Sequence, residues 1–191
     1  MINTNNTSKK NKILIAAADI VIKQGVACLT LEAVANKAGV SKGGLLYHFP
    51  NKEALIKGMV DELTHTYTKN INKYMLMDNE DTGKWIRAFV NTTFNAQQDE
   101  FERSSALLGA VFTNPELLEK LQMFYKDMQK QFENDGVDPI RSIIVRLATD
   151  GLWLAELFGL APLDKTMKER IYSELISMLR EGEESENISS V

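Results

Sequence analysis

The chain is poor in the residue types on which several classes of protein depend. Its 191 residues include one cysteine, Cys28, which excludes an internal disulfide and a zinc site built from several cysteines. Cys28 stands in an apolar stretch, so we expect a buried structural thiol rather than a redox sensor. There are two histidines, and neither stands in an HExxH or C-x-x-C context.

Long apolar runs and catalytic loops are also missing from the sequence. No stretch approaches the roughly 20 apolar residues that span a bilayer, and no signal-peptide core is present, so we expect a cytoplasmic protein that does not enter the membrane. There is no G-x-S-x-G elbow, no Walker loop and no G-x-G-x-x-G after a strand. We therefore predict no catalytic residue, no metal site and no cofactor.

Charge is divided unevenly along the chain. Residues 1–60 carry eight lysines and three acidic residues, whereas residues 61–191 carry fourteen basic and twenty-three acidic residues. The overall isoelectric point near 5.3 argues against binding to nucleic acid. Contact with a polyanion is governed by the local field, however, so the basic N-terminal part is a candidate for it.

The most informative segment is TLEAVANKAGVSKGGLLYHFPNKEAL, residues 30–55. Its first half carries apolar residues at the helical spacing i, i+3, i+4 and i+7, at Leu31, Val34, Ala35 and Ala38. Thr30 precedes them as a candidate N-cap, and Gly39 supplies the positive φ of a sharp turn. Ser41 is the candidate cap of a second short helix, which runs to about His48. Two short helices joined in this way form a helix-turn-helix, whose second helix enters the DNA major groove.

The second helix opens unusually for a structural element. Gly43 and Gly44 each cost about 1 kcal/mol of helix propensity. Glycine is useful where the backbone must approach a phosphate or a base edge closely; the alternative is a tight surface helix with incidental glycines. Leu45 and Phe49 have the spacing of core anchors, which leaves the side chains of Lys42, Leu46, Tyr47 and His48 to face elsewhere.

The sequence VSKGGLLYHFPNKEAL resembles the recognition-helix signature of the tetracycline-repressor (TetR) family of bacterial transcription regulators. As in that family, an amphipathic helix that ends at Gly25 precedes the motif, and Lys-Glu-x-Leu follows it after Asn51. The resemblance covers residues 9–68. Family members usually carry tyrosine at the position of Leu46, so a hydroxyl that contacts phosphate is absent here.

This resemblance implies which residues contact DNA. Hydroxyl, imidazole and ammonium groups in and beside the motif would contact phosphates, and the start of the recognition helix would meet base edges. The DNA-binding residues that it implies are Thr30, Ser41, Lys42, Gly43, Gly44, Leu46, Tyr47, His48 and Lys52.

Helical periodicity, caps and proline positions predict helices through the rest of the chain, with no convincing strand. The predicted fold is all-α with about nine helices, a three-helix helix-turn-helix unit followed by a helical domain for effector binding and dimerisation. The predicted parts are a flexible tail at 1–8, a DNA-binding domain at 9–68 with its motif at about 30–49, an effector-binding and dimerisation domain at 69–182 and a flexible tail at 183–191.

The helix predicted from about Asp138 to Leu160 is apolar on most sides and must be buried on most sides. Its own domain or a partner subunit could bury it. The resemblance favours a homodimer, because family members dimerise through their last two long helices. Two recognition helices related by a two-fold axis would read a palindromic operator with half-sites about 34–36 Å apart or a multiple of that. The predicted interface residues are Ile144, Gly151, Leu152, Ala155, Ile171, Leu175 and Met178.

Aromatic and methionine side chains in the second domain would suit an adaptable apolar cavity, although each one alone is more typical of a core. Glu156 points to solvent, pairs with an arginine across the dimer, or recognises a cationic lipophilic effector. We interpret Asp150 as an exposed or intersubunit polar group. The predicted effector-binding residues are Trp85, Phe89, Phe112, Phe124, Met128, Trp153 and Glu156.

These observations predict a cytoplasmic, homodimeric transcriptional regulator. We expect a repressor that is released from a palindromic operator in double-stranded DNA by an unknown small lipophilic effector. One alternative is a helical interaction or ligand-binding protein without sequence-specific DNA binding, which the departure at Leu46 favours. The other is an enzyme, which would need a cofactor site that the sequence does not reveal.

Overall fold

The computed structural model describes residues 4–180, with no description of the side chains of residues 4–8, 99, 105, 106, 108–110, 112 and 113. Every regular element between residues 4 and 180 is helical, which confirms the predicted all-α fold with nine α-helices. They are α1 (Thr4–Gln24), α2 (Leu31–Ala38), α3 (Lys42–His48), α4 (Lys52–Met77), α5 (Lys84–Phe94), α6 (Gln98–Thr113), α7 (Pro115–Glu133), α8 (Pro139–Leu157) and α9 (Lys165–Arg180). No helix in the described range is long and apolar enough to cross a bilayer.

Several helices begin where the sequence places a capping side chain. Asp138 Oδ1 accepts from the backbone N–H of Ile140 at 2.8 Å, and Asp164 Oδ1 accepts from that of Met167 at 2.8 Å. Asn114 caps α7 in the same way. Each bond satisfies a backbone donor that a helix leaves free in its first turn.

The chain folds into two compact units. The first joins residues 4–66 with Gln97–Leu121. Leu107, Val111 and Leu117 are buried in the core that α1 to α4 build in this unit. The unit therefore includes a segment that the predicted boundary near residue 68 assigns to the second domain. Helical periodicity identifies these side chains as apolar, but it does not show which core they join.

The second unit joins Tyr67–Ala96 with residues 122–180. Its core contains Phe89 and Phe132, whose ring centroids are 5.3 Å apart, together with Ile86 and Val145. The connection between α4 and α5 is organised by Arg87, which is 4% exposed.

Arg87 holds this connection through three acceptors. Its Nε donates to Asp78 Oδ2 at 2.8 Å, and its Nη atoms donate to the carbonyl oxygens of Thr82 and Glu80 at 2.6 and 2.8 Å. Burial raises the pKa of the Asp78 carboxyl, but the hydrogen bonds from Arg87 and from the Glu80 backbone outweigh burial and lower that pKa below its ordinary value.

Cys28 is exposed, so the expectation of a buried thiol is wrong. After α1 the chain turns at Gly25, which has a φ of 82°, and forms a short 3-10 helix, Val26–Cys28. This turn directs the side chain of Leu29 into the core, where it is 0% exposed. Its neighbour Cys28 is left on the outside.

Candidate nucleic-acid interface

The turn between α2 and α3 is built by the residues that the sequence indicates. Thr30 Oγ1 accepts from the Ala33 N–H at 3.1 Å, and Ser41 Oγ accepts from the Gly44 N–H at 3.1 Å. Gly39 ends α2 in the left-handed region, with a φ of 65°. A hydroxyl that accepts a cap bond keeps its own proton to donate. The Thr30 and Ser41 hydroxyls, both on exposed residues, can therefore also donate to a phosphate oxygen.

The inner face of α3 is fixed to the first unit by two side chains. Leu45 is 0% and Phe49 3% exposed, and both lie in its core. The Phe49 ring passes close to Gly58 of α4: a Cβ atom at position 58 would lie 2.5 Å from Phe49 Cε1. Sequence reasoning missed Gly58, although a glycine inside a helix is a signal of close packing.

The outer face of α3 carries the predicted contacts. Lys42 and Gly43 are exposed, and Tyr47 is 77% exposed, while Leu46 and His48 keep part of their surface accessible. A Cβ atom at Gly43 would meet nothing within 4 Å, so packing in the protein does not require glycine there. The Tyr47 and His48 rings lie edge to face, with centroids 5.2 Å apart. The helix thus presents a lysine, a tyrosine and bare backbone on one accessible surface.

Lys52 has a more specific environment than the sequence predicted. Its Nζ donates to the carbonyl oxygen of Val26 at 3.0 Å, and the residue is half-buried. A cation in the first turn of α4 is disfavoured by the helix dipole, and the Val26 carbonyl offsets that cost. Sequence reasoning missed Val26 because the bond joins residues far apart in the chain.

Four of the seven predicted effector residues lie in or against the core of the second unit. Phe89 and Met128 are 1% and 6% exposed and belong to the core of the second unit. Trp85 and Phe124 pack against that core, and Trp153 is half-buried. The side chain of Phe112 lies outside the described residues, and its backbone belongs to the α6 segment of the first unit.

Both acidic groups of α8 are paired within the chain. Glu156 is half-buried and forms an ion pair with Lys168 of α9, a partner that none of the three alternatives for Glu156 named. Asp150 accepts from the Tyr125 hydroxyl at 3.1 Å and from Arg146 Nη1 at 3.0 Å. Burial raises the pKa of the Asp150 carboxyl, and these two bonds offset that rise only in part. The interpretation of Asp150 as an exposed group is therefore wrong, since its side chain is 20% exposed, while the intersubunit alternative stays a prediction.

The predicted dimer residues divide between surface and core. Ile144 and Gly151 are exposed, and Leu152, Ala155, Ile171 and Met178 are half-buried. Leu175, in contrast, is 5% exposed and lies in the core of its own unit, because its position on α9 faces inward. Further large apolar side chains of the α8 region remain accessible: Ile140, Leu147, Leu154 and Phe158 are 68%, 55%, 38% and 62% exposed.

Two family models match the chain. Residues 13–59 match the model described as bacterial regulatory proteins, tetR family. Residues 83–180 match that described as tetracyclin repressor-like, C-terminal domain. The two matches cover the helix-turn-helix and most of the second unit.

Relatives and solved structures agree with these matches. The uncharacterized HTH-type transcriptional regulator YerO of Bacillus subtilis is 27% identical over 121 residues, or 62% of this chain. The match spans about two fifths of that relative's length, at 41%. A transcriptional regulator from Rhodococcus sp. Rha1 has the same fold, with a TM-score of 0.72 at 18% identity over 91% of this chain and 96% of that chain. The multidrug binding protein EbrR, solved with malachite green, gives a TM-score of 0.66 at 20% identity over 87% of this chain and 96% of that chain.

Proposed function

Because the chain belongs to the tetracycline-repressor (TetR) family of bacterial regulatory proteins, we propose that it is a cytoplasmic, DNA-binding transcriptional repressor and not an enzyme. The observation that carries this proposal is the construction of α3. Leu45 and Phe49 hold its inner face in a core, while Lys42, Gly43 and Tyr47 stand exposed on its outer face. A rigidly held helix with a short, polar, accessible surface suits insertion into the major groove.

The exposed groups divide into two kinds of DNA contact. Lys42 lies at the start of α3, where an ammonium group can donate to guanine O6 and N7. The hydroxyls of Thr30, Ser41 and Tyr47 can donate to phosphate oxygens, which position the helix without reading sequence. The surplus of lysine in residues 1–60 adds attraction to DNA of any sequence.

The exposed apolar row on α8 supports a homodimer. Ile140, Ile144, Leu147, Leu154 and Phe158 recur at helical spacing and are at least 38% exposed. Monomeric proteins rarely leave such a row exposed to solvent. In a dimer with two-fold symmetry, the same helix of the second subunit would cover it. Two α3 helices would then read a palindromic operator in double-stranded DNA.

We assign the effector to the second unit. Asp150, Tyr125 and Arg146 offer polar groups there beside the rings of Phe124 and Tyr67. EbrR, which shares the fold, was solved with the aromatic dye malachite green, and this supports a small aromatic, lipophilic effector. α4 runs along the chain from the first unit into the second, so an effector that prefers one arrangement of α4 would shift the affinity for DNA.

Recovery of the bound chromosomal DNA tests the proposal. Wild-type protein, cross-linked in its host cell, is expected to recover discrete sites that share a palindrome. Lys42→Ala should lose those sites, whereas Lys69→Ala, which removes an exposed lysine outside the motif, should keep them. Equal recovery by both variants would contradict the role of α3.

Transcript levels separate repression from activation. Deletion of the gene should raise transcription of the genes beside the recovered sites, and addition of an effector to the wild-type cell should do the same. A fall in those transcripts on deletion would make the protein an activator.

In vitro, an effector of the second unit should release labelled operator, and Asp150→Asn should change the concentration of effector that is needed.

A further inference from the structure

The outer face of α3 offers few side chains with which to read bases. Gly43 and Gly44 contribute none, and Leu45 and Phe49 are committed to the core. Lys42, Leu46 and the 77% exposed Tyr47 remain as the groups that project from it, with His48 at its end.

Leu46 stands beside the bare part of this surface. It follows Lys42 by four residues and Gly43 by three, and residues at these spacings are neighbours on a helix. It keeps part of its surface accessible, although Leu45 and Phe49 already anchor the helix. An accessible leucine is therefore present on the face where the proposed function places DNA.

Leucine has a limited choice of partners in the major groove. It neither donates nor accepts a hydrogen bond, so a phosphate or a polar base edge gains nothing from it. The C5-methyl group of thymine is the apolar feature of the major groove. Because no side chain projects at Gly43, the backbone of α3 can approach the bases closely enough for a leucine to touch that methyl.

We propose that Leu46 reads the methyl group of one thymine in each operator half-site. This rests on the proposed DNA-binding function and adds a specificity-determining residue to it. Lys42 would select a guanine, and Leu46, its neighbour on the helix, a thymine close to that guanine.

Replacement of thymine by deoxyuridine tests the proposal without changing the protein. Each thymine of a selected operator is replaced in turn, in both half-sites, and the affinity of the full-length protein is measured. At one thymine the loss of the methyl should weaken wild-type binding about fourfold per half-site, as expected for one buried carbon. At the other thymines the loss should be smaller.

Two variants assign the effect to Leu46. Leu46→Ala should bind the thymine and deoxyuridine operators equally at that position. Leu76→Ala, which truncates an 88% exposed leucine at the end of α4, should keep the wild-type discrimination.

Three outcomes would overturn the proposal, and they are distinguishable. If every thymine can be replaced without loss, no methyl is read. If replacing the thymine by deoxyuridine weakens the binding of Leu46→Ala as much as that of wild type, the methyl acts through DNA shape and not through Leu46. If the protein selects no operator at all, the proposed function fails together with this inference.

Discussion

The ammonium nitrogen of Lys52 lies 3.0 Å from the carbonyl oxygen of Val26, and this bond ties the start of α4 to the turn before α2. These two segments come directly before and directly after the helix-turn-helix in the chain. Lys52 therefore helps to position the motif from within the protein, whatever further contact it makes with phosphate.

Lys52→Met should lower the free energy of unfolding by about 1 kcal/mol, since one partly buried hydrogen bond to a charged group is lost. Lys52→Arg keeps a donor and should lose less. Urea denaturation measures both, with Lys57→Met as the control because Lys57 is exposed on the same helix. The result that would contradict this role is a Lys52→Met variant with unchanged stability. If its DNA-binding constant also falls less steeply with salt, by about one in the slope of log K against log salt, Lys52 contacts phosphate alone.

Gly43→Ala should stabilise the protein and weaken its binding to DNA. A Cβ atom meets nothing within 4 Å there, so the gain in helix propensity of up to about 1 kcal/mol is realised. The same methyl would stand between α3 and the bases. Thermal unfolding and operator affinity are measured on one preparation, and a variant that binds DNA as well as wild type would show that bare backbone is not needed.

Gly58→Ala should have the opposite effect on stability. Its Cβ would lie 2.5 Å from Phe49 Cε1, and the buried ring has little room to move. Overpacking of this kind costs about 1–3 kcal/mol, which outweighs the gain in helix propensity. Phe49→Leu in the same chain should relieve part of the cost, and a double-mutant cycle measures it. Additive effects would mean that the two residues do not interact.

Ile144→Arg should convert the protein from a dimer to a monomer and abolish tight binding to the palindrome. It places a charge in the middle of the exposed apolar row of α8. Sedimentation velocity reports the mass, and the control is Leu76→Arg, at an exposed leucine outside this row. A dimer that survives in Ile144→Arg would move the interface away from this row.

Asp78→Asn should reduce the dependence of stability on acid. The folded-state pKa of Asp78 is lowered from 3.8, so its carboxylate contributes stability above that value and loses it as the pH falls through the lower folded pKa. Urea denaturation from about pH 6 downward should therefore show wild type and variant converging in acid. Asp150, whose pKa is raised, contributes with the opposite sign in both proteins and cancels in the difference. The pKa of Asp135 is raised first by burial and also by the nearby charge of Asp78, so the contribution of Asp135 changes in the variant and is part of the measured difference. A difference that stays constant with pH would contradict the role of the Arg87 bond.

The helix-turn-helix could be predicted because its determinants are local. Thr30 and Ser41 each cap a helix by accepting from an N–H three residues away, and Gly39 needs only its own positive φ. The starts of α7, α8 and α9 are local in the same sense. All the residues that form each of these caps and turns lie within a few positions of one another, so the sequence alone reveals them.

Pairings between distant segments could not be predicted. Periodicity shows that Asp150 and Glu156 lie on an apolar helix, but their partners Tyr125 and Lys168 come from other helices. The ring of Phe49 over Gly58 and the bond from Lys52 to Val26 are of the same kind. Leu175 shows the related difficulty that a helical stripe marks an apolar face without showing whether that face meets its own core or a second subunit.

Selection of bound duplexes from a random DNA library by the purified protein, at near-physiological salt, tests the proposed regulator most directly. Enrichment of a palindrome is expected, with half-sites one helical turn or a multiple of it apart and with guanine and thymine in each half-site. Binding that enriches no sequence and only weakens with added salt would contradict sequence-specific recognition by α3.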